Sequence, residues 1–254
     1  MNRTCALLLA LPLLIGTAVA QSLPADSEIV ARISAATILI LAGEGAGRLN
    51  AISTGVIVRP YGVILTAYHG IKNAREVQVR LHTGDVYDQV VLIGTDERRD
   101  VAALKISARH LTTLPLGSGA EMKPGEAAYV VSNSSGLGWS ASKGIFAASR
   151  LDEIPGAGQG YSVLQSTAPV SGGASGGPLV DSRGALVGII TKEIASGTSG
   201  VQPGAAFAVP IESVMRRRVS SALKLRTHDG VRLRRCGFPV VATLASISQS
   251  TLQP

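Results

Sequence analysis

The amino-acid sequence predicts an all-β protein. Short runs of β-branched and aliphatic residues alternate with turn sequences, and the chain contains 29 glycines but only 4% aromatic residues. This pattern is typical of a barrel or a sandwich and not of a helix bundle. With 254 residues, the chain is long enough for one large β domain or two small ones.

The N-terminus is predicted to be a secretory signal peptide, residues 1–20. Arg3 supplies a positive charge, an apolar run follows at residues 6–15, and the sequence AVA at 18–20 matches a cleavage site before Gln21. The apolar run is shorter than the roughly 20 residues that cross a bilayer, which argues against a membrane anchor. We therefore expect a periplasmic or secreted protein without an integral membrane segment after signal removal.

The first predicted element of the mature chain is a short helix through residues 28–32, with Asp26 or Ser27 as its cap. From there the pattern is that of β-strands. The strands predicted in the first half are 53–58, 63–67, 76–81, 87–94 and 101–106. The first two form a hairpin, because the turn sequence RPYG at 59–62 joins them.

A polar, glycine-containing stretch at residues 116–125 is the predicted link between two β halves. We place the N-terminal half at 21–122 and the C-terminal half at 123–215. The second half shows short strands and a terminal helix, at residues 127–131, 144–148, 162–165, 179–180, 185–191, 205–209 and 211–219. Two β halves of similar size are consistent with a duplicated architecture.

A basic C-terminal tail, residues 216–254, follows the second half. It contains eight Lys or Arg and one acid, and so accounts for the formal net charge of +7. Because the β halves are nearly neutral, no nucleic-acid partner is expected. The tail is interpreted as a solvated extension, or alternatively as an electrostatic attachment to an anionic surface. Cys5 would leave with the signal, so the mature chain keeps Cys236 alone and no internal disulfide.

The strongest local feature is the sequence SGGASGGP at residues 171–178. A serine hydroxyl becomes an effective nucleophile only with a base within hydrogen-bond reach and donors for the developing oxyanion. Glycines on both sides of Ser175 allow the backbone to turn its N–H groups toward such an oxygen. The structural alternative is a glycine-rich surface turn.

The same segment satisfies the G-x-S-x-G pattern of α/β-hydrolases, but its context contradicts that fold. The serine of those enzymes leads into a helix, whereas Pro178 and another strand follow here. Their histidine also comes after the serine, and His228 in the basic tail is the only histidine after Ser175. A secreted esterase of that type is therefore disfavoured.

The general base is expected upstream of the serine. Among the four histidines, His69 ends a predicted strand, while His82 lies beside a turn and His110 lies in a polar connection. Asp100 directly precedes an apolar strand and is the carboxylate expected to pair with the histidine and fix its tautomer. Each residue alone has a structural interpretation, but the order His, Asp, Ser is that of chymotrypsin.

Together these motifs resemble those of trypsin-like serine proteases, in particular their bacterial HtrA-type branch. The resemblance covers about residues 53–215 and implies two six-stranded antiparallel β-barrels with the active site between them. The similar segments are TAYHG at 66–70, DVAALKI at 100–106, SGGPLV at 175–180, VGI at 187–189 and FAVP at 207–210.

The resemblance also implies roles for individual residues. It implies a serine endopeptidase in which Ser175 is the nucleophile, His69 the general base and Asp100 the group that orients the base. It assigns the oxyanion hole to the backbone N–H groups of Gly173 and Ser175, and the support of Asp100 to Thr191. Protein or peptide substrates are expected, and the alternative is a non-catalytic binding module on the same fold. No metal or other cofactor is expected.

Three departures from the family pattern change these expectations. HtrA-type proteins usually continue into PDZ domains, whereas about 40 residues follow the matching segment here. Pro169 stands where digestive relatives carry an aspartate that binds basic side chains, so small or apolar residues are expected at the cleaved bond. Ala174 stands where their zymogens need a carboxylate, so no internal activating cut is expected.

Overall fold

A computed structural model shows two antiparallel β units that follow one another along the chain. The described part has two short α-helices, α1 (Asp26–Ala36) and α2 (Ile211–Met215). No helix in this part is long and apolar enough to cross a membrane. The structure describes residues 24–44, 49, 51–133, 138–151, 162–193 and 205–215. The predicted signal peptide and basic tail, and the terminal helix after 215, lie outside these residues.

The first unit is a curled antiparallel sheet of seven strands. In chain order these are β1 (Thr37–Gly43), β2 (Ala51–Arg59), β3 (Val63–Ala67), β4 (Glu76–Leu81), β5 (Val86–Tyr87), β6 (Val91–Asp96) and β7 (Val101–Lys105). Their order across the sheet is β5-β4-β1-β2-β3-β7-β6. Short 3-10 turns follow β3 and β6, at Tyr68–Gly70 and Glu97–Arg99.

The second unit is a closed barrel of six antiparallel strands. These are β8 (Ala127–Ser132), β9 (Ser140–Leu151), β10 (Ser162–Ser166), β11 (Pro178–Asp181), β12 (Leu186–Glu193) and β13 (Ala206–Pro210). The barrel closes in the order β10-β13-β12-β11-β8-β9. Helix α2 follows β13 directly and packs against β12 and β13.

The predicted all-β architecture of two consecutive barrel-like units is confirmed, but the first unit is a curled sheet of seven strands, whereas a six-stranded barrel was expected. The segment predicted as a single strand at 87–94 is divided into β5 and β6. Strand β5 pairs with β4, while β6 pairs with β7, at opposite edges of the sheet. Because the chain crosses from one edge to the other between them, one continuous strand is excluded. This division raises the five strands predicted in the first half to six, and the additional strand β1 gives seven.

The N-terminal region corrects two expectations. Helix α1 has Ala25 at its N-cap, and neither predicted side chain caps it. The carboxylate of Asp26 instead accepts hydrogen bonds from Tyr129 Oη and Lys143 Nζ, both at 2.6 Å. Strand β1 is absent from the predicted strands, although it pairs with both β2 and β4. Its continuous apolar sequence TILILAG is typical of a strand that is buried on both faces.

The two β units share one hydrophobic core. Ile29 and Ile33 of α1 are buried in a cluster that also contains Leu65 from the first unit and Val180 and Phe207 from the second. Each buried aliphatic or aromatic side chain of this size stabilises the fold by about 1.5–3 kcal/mol. Burial of α1 therefore holds the two units together, which fixes the groove between them.

Candidate active site

His69 and Asp100 lie at the same end of two paired strands. His69 follows β3, Asp100 precedes β7, and the register places Ala67 opposite Val101. The Oδ2 atom of Asp100 consequently lies 2.6 Å from His69 Nδ1, and its Oδ1 accepts the backbone N–H of His69 at 2.7 Å. A carboxylate facing Nδ1 favours the tautomer with its proton there, which leaves Nε2 as the basic nitrogen.

The loop that carries Asp100 has a defined backbone geometry. Asp100 ends the 3-10 turn with φ +57°, in the left-handed region that aspartate tolerates better than most residues. Its carbonyl accepts the N–H of Tyr68 at 3.0 Å. Within the turn, Asp96 and Arg99 form an ion pair at 2.8 Å and Arg99 is buried. Asp96 and Arg99 therefore neutralise each other, whereas Glu97 and Arg98 between them are exposed.

Tyr68 provides a second connection between the histidine turn and the aspartate loop. Burial, followed by the negative charge of Glu97 and a hydrogen bond to it, raises the pKa of the Tyr68 phenol. The phenol therefore stays protonated and donates to the Glu97 carboxylate. This bond joins the residue before His69 to the turn that ends at Asp100.

Thr191 connects the same carboxylate to the second unit. Its Oγ1 donates to Asp100 Oδ2 at 2.7 Å, and Thr191 lies buried on β12. The Asp100 carboxylate thus accepts three hydrogen bonds, two from His69 and one from across the groove. Because hydrogen bonds to charged groups contribute about 1.5–3 kcal/mol each, this carboxylate is firmly oriented.

Ser175 lies in two successive tight turns that precede β11. The N–H of Ala174 donates to Ser171 O at 3.0 Å, and the N–H of Gly177 donates to Ala174 O at 2.9 Å. Gly173 occupies the third position of the first turn with φ +94°, a conformation that a type II turn requires and that favours glycine. The glycines of the motif therefore serve the turn geometry that the sequence suggested.

Gly176 brings the loop into direct contact with the first unit. A Cβ atom at this position would lie 2.2 Å from Thr54 O and 2.3 Å from Thr66 Oγ1. Real side chains cannot approach so closely, so the contact is open only to glycine. The residue after Ser175 therefore packs against β2 and β3, and β3 is the strand that leads to His69.

The backbone N–H groups of Gly173 and Ser175 differ from their neighbours. Among the described residues, neither N–H forms a hydrogen bond, whereas those of Ala174, Gly176 and Gly177 all do. The hydroxyl of Ser175 and the His69 ring are likewise not hydrogen-bonded to each other within this part of the chain. Such bonds often tighten only when substrate binds. The N–H groups of Gly173 and Ser175, which lie on either side of Ala174, are therefore available as hydrogen-bond donors.

Two further residues remain to be placed: His82, a histidine that the sequence analysis set aside, and Thr54, which it did not select. His82 stacks at a tilt on Trp139, with ring centroids 5.4 Å apart, and makes no contact with Asp100. Thr54 was not predicted, yet it donates its N–H to Ser175 O at 2.9 Å and its Oγ1 to Gly173 O at 2.7 Å. A hydroxyl residue in a predicted strand was the available signal, because a buried hydroxyl needs a partner. Neighbouring Ser53 is also buried and gives the same signal, so the sequence did not distinguish Thr54.

Comparisons with known proteins place these observations in a family context. A family model described as a trypsin-like peptidase domain matches residues 53–189. The serine endoprotease DegS of Haemophilus influenzae is 33% identical over 187 residues, which cover 72% of this chain and 55% of DegS. A probable periplasmic serine endoprotease, DegP-like, of Pseudomonas savastanoi pv. phaseolicola is 35% identical over 174 residues, covering 68% and 35%.

The structural comparison agrees with these relatives. A solved structure of the HtrA-type protease AlgW with a tripeptide aligns with a TM-score of 0.67 at 27% identity, covering 76% of this chain and 64% of that one. The chain spans about half the length of DegS and about a third of the DegP-like protein.

Proposed function

The chain belongs to the trypsin-like peptidase family, with HtrA-type serine proteases among its relatives, and from this premise we propose that it is an exported serine endopeptidase. Ser175 is the nucleophile, His69 the general base and Asp100 the residue that orients it. The observation that carries the proposal is the Asp100 carboxylate, held 2.6 Å from His69 Nδ1 beside the turn that bears Ser175.

The proposed reaction proceeds through an acyl-enzyme. Ser175 Oγ attacks the scissile carbonyl carbon while His69 Nε2 takes the hydroxyl proton. The oxyanion of the tetrahedral intermediate accepts hydrogen bonds from the N–H groups of Gly173 and Ser175, each contributing on the order of 3 kcal/mol. The intermediate collapses as the leaving amine takes the proton from the imidazolium. Water then hydrolyses the acyl-enzyme by the same sequence of proton transfers.

Asp100 and Thr191 support the base in this scheme. The carboxylate stabilises the imidazolium that forms when His69 accepts the proton, and it keeps Nε2 directed toward the serine. Thr191 holds the carboxylate from the opposite side of the groove, through its 2.7 Å hydrogen bond. The proposed site therefore requires both β units.

We propose proteins and peptides as substrates, with a small or apolar residue at the cleaved bond. The tripeptide in the AlgW structure supports peptide substrates in this family. Pro169 stands where digestive relatives carry an aspartate, and its neighbours Ala168 and Val170 are both buried. This part of the chain therefore offers no carboxylate to a basic side chain of the substrate. Cleavage of a peptide library should favour small or apolar side chains, and a preference for Arg or Lys would contradict this part of the proposal.

The location and organisation of the chain are also proposals. The predicted signal peptide at 1–20 and the DegP-like relative, described as periplasmic, support a periplasmic or secreted protein that acts on misfolded or other extracytoplasmic proteins. We propose domain limits of 21–122 and 123–215 for the two β units, followed by the basic tail at 216–254. The last strand of the first sheet ends at Lys105 and the first strand of the barrel begins at Ala127, so both are compatible with these limits.

Labelling with a fluorophosphonate probe tests the proposed function. The folded mature protein should be labelled, and Ser175→Ala should not. Ser171→Ala is a matched control in the same loop, because only the backbone oxygen of Ser171 takes part in the turn. A folded wild-type protein without labelling would favour the alternative, a non-catalytic binding module. Labelling that persists in Ser175→Ala would reject Ser175 as the nucleophile.

A further inference from the structure

Thr54 is a fully buried residue of β2 that contacts the Ser175 loop at two points. Its backbone N–H donates to Ser175 O at 2.9 Å, and its Oγ1 donates to Gly173 O at 2.7 Å. The two acceptors lie at the ends of the tripeptide Gly173-Ala174-Ser175. This tripeptide carries the proposed nucleophile and both proposed oxyanion donors.

The hydroxyl bond restrains one peptide plane of the loop. The peptide group between Gly173 and Ala174 is held at its carbonyl by Thr54 Oγ1 and at its N–H by Ser171 O, 3.0 Å away. A peptide group is planar, so bonds at both of its ends fix its orientation. The N–H groups of Gly173 and Ser175 belong to the peptide groups on either side of this plane, so freedom at ψ of Gly173 and φ of Ala174 would let both groups change direction relative to each other. The orientation of both donors therefore depends on the Thr54 hydroxyl.

Thr54 is itself held by residues outside the loop. Its Oγ1 accepts the N–H of Asn133 at 3.3 Å, and its carbonyl oxygen accepts the hydroxyl of Thr66 at 2.7 Å. Because a hydroxyl has a single proton, the bond from Asn133 leaves that proton directed at Gly173 O. Thr66 lies on β3, three residues before His69, so the same chain of bonds reaches the strand that carries the base.

We propose that Thr54 is a positioning residue, whose hydroxyl holds the Gly173–Ser175 segment in the orientation needed to stabilise the oxyanion. The inference rests on the proposed function, and it adds a residue outside the triad. Thr54 acts through the backbone of the loop and does not touch the reacting atoms. Its loss should slow the attack by Ser175 without weakening substrate binding or changing the proton acceptor.

Thr54→Val tests this role, because valine has nearly the same shape and keeps the backbone N–H bond to Ser175. We expect the fluorophosphonate labelling rate constant, and kcat on a fluorogenic peptide, to fall about 10- to 100-fold with KM within about twofold. The pH of half-maximal labelling should not change. Thr54→Ser keeps the hydroxyl and should stay within about threefold of the wild-type rate.

Thr37→Val is the matched control. Thr37 is equally buried, but its Oγ1 donates to Ile33 O of helix α1 at 2.7 Å and not to the loop. This variant should keep the wild-type rate even if its melting temperature falls. If Thr54→Val does not fold, the ratio of the rates of Thr54→Ser and Thr54→Ala isolates the hydroxyl, and it should again be about 10- to 100-fold.

The outcomes separate this inference from the proposed function. Equal rates for Thr54→Val and the labelled wild type would overturn the role of the hydroxyl and leave the protease assignment standing. The same holds for equal rates of Thr54→Ser and Thr54→Ala, for a raised KM at unchanged kcat, or for a shifted pH profile. A folded wild-type protein that the fluorophosphonate does not label would overturn both.

Discussion

Substitution of Gly176 by alanine should separate the Ser175 loop from the first β unit. The added Cβ would lie 2.2 Å from Thr54 O, 2.3 Å from Thr66 Oγ1 and 2.6 Å from Ala67 N. Two of these atoms belong to the backbone of paired strands and cannot move aside. Alanine in the left-handed conformation costs about 1–2 kcal/mol by itself. With the overlap added, we expect a total loss above about 4 kcal/mol, a large share of a typical stability of 5–15 kcal/mol.

Gly84→Ala is the matched control for this substitution. Gly84 has a similar backbone conformation, with φ +97° against +85° at Gly176, but a Cβ there would meet no atom within 4 Å. Gly84→Ala should therefore lose only the conformational part, about 1–2 kcal/mol. The difference between the two variants measures the cost of the close approach of the loop to β2 and β3.

Urea unfolding provides the assay, followed by the fluorescence of Trp139. This is the only tryptophan of the chain, and it packs partly buried against the shared core. The labelling rate should fall at least about 100-fold in Gly176→Ala and stay at the wild-type value in Gly84→Ala. If the two variants lose the same free energy of unfolding within about 0.5 kcal/mol, the close approach contributes nothing and the reasoning is refuted.

Two further predictions concern hydrogen bonds between the units. Thr191→Val removes one of the three bonds to Asp100 and should lower kcat about tenfold in steady-state kinetics with KM nearly unchanged; an unaltered kcat would remove Thr191 from the site. The hydrogen bonds from Lys143 and, secondly, Tyr129 hold the pKa of Asp26 below its usual range. The stabilisation of the fold by these hydrogen bonds is therefore complete above the usual aspartate pKa. It is lost as the pH falls through the lower pKa that Asp26 has in the folded state. The wild-type protein should have a higher Tm than Asp26→Asn at about pH 6, and this difference should shrink as the pH falls to about 2. A difference that stays constant over this range would contradict the stabilising role of the Asp26 hydrogen bonds.

The local sequence was sufficient to predict a structural element where turn residues and a strand pattern occur together. The β2–β3 hairpin could be predicted because Pro60 and Gly62 interrupt two β-branched runs, and the hairpin is confirmed. The division between β5 and β6 could not, because both pieces have the same apolar character. The division is decided by the neighbour with which each piece pairs, β4 for β5 and β7 for β6. Asp26 shows the opposite failure, since tertiary partners took the side chain that a local rule assigns to a helix cap.

The residues of the candidate site were likewise only partly predictable from the sequence. His69, Asp100 and Ser175 could be selected because each stands at a strand end or a turn, and their order along the chain is informative. The structure brings His69, Asp100 and Thr191 together in one hydrogen-bonded chain. Thr54 could not be selected, because its partner Gly173 lies 119 residues away in the sequence. Such a contact exists only after both units have folded and met.

The core that α1 shares with both units has a consequence for the order of folding. Ile29 and Ile33 of helix α1 pack in the same cluster as Phe207 and Val209, which lie on the last strand of the barrel. Contacts of such high sequence separation form slowly, because the entropy of closing the long intervening chain is lost before the contacts stabilise the fold. The core cannot be completed until the last strand of the barrel has been added. The proposed catalytic activity should therefore arise only after this strand has joined the core.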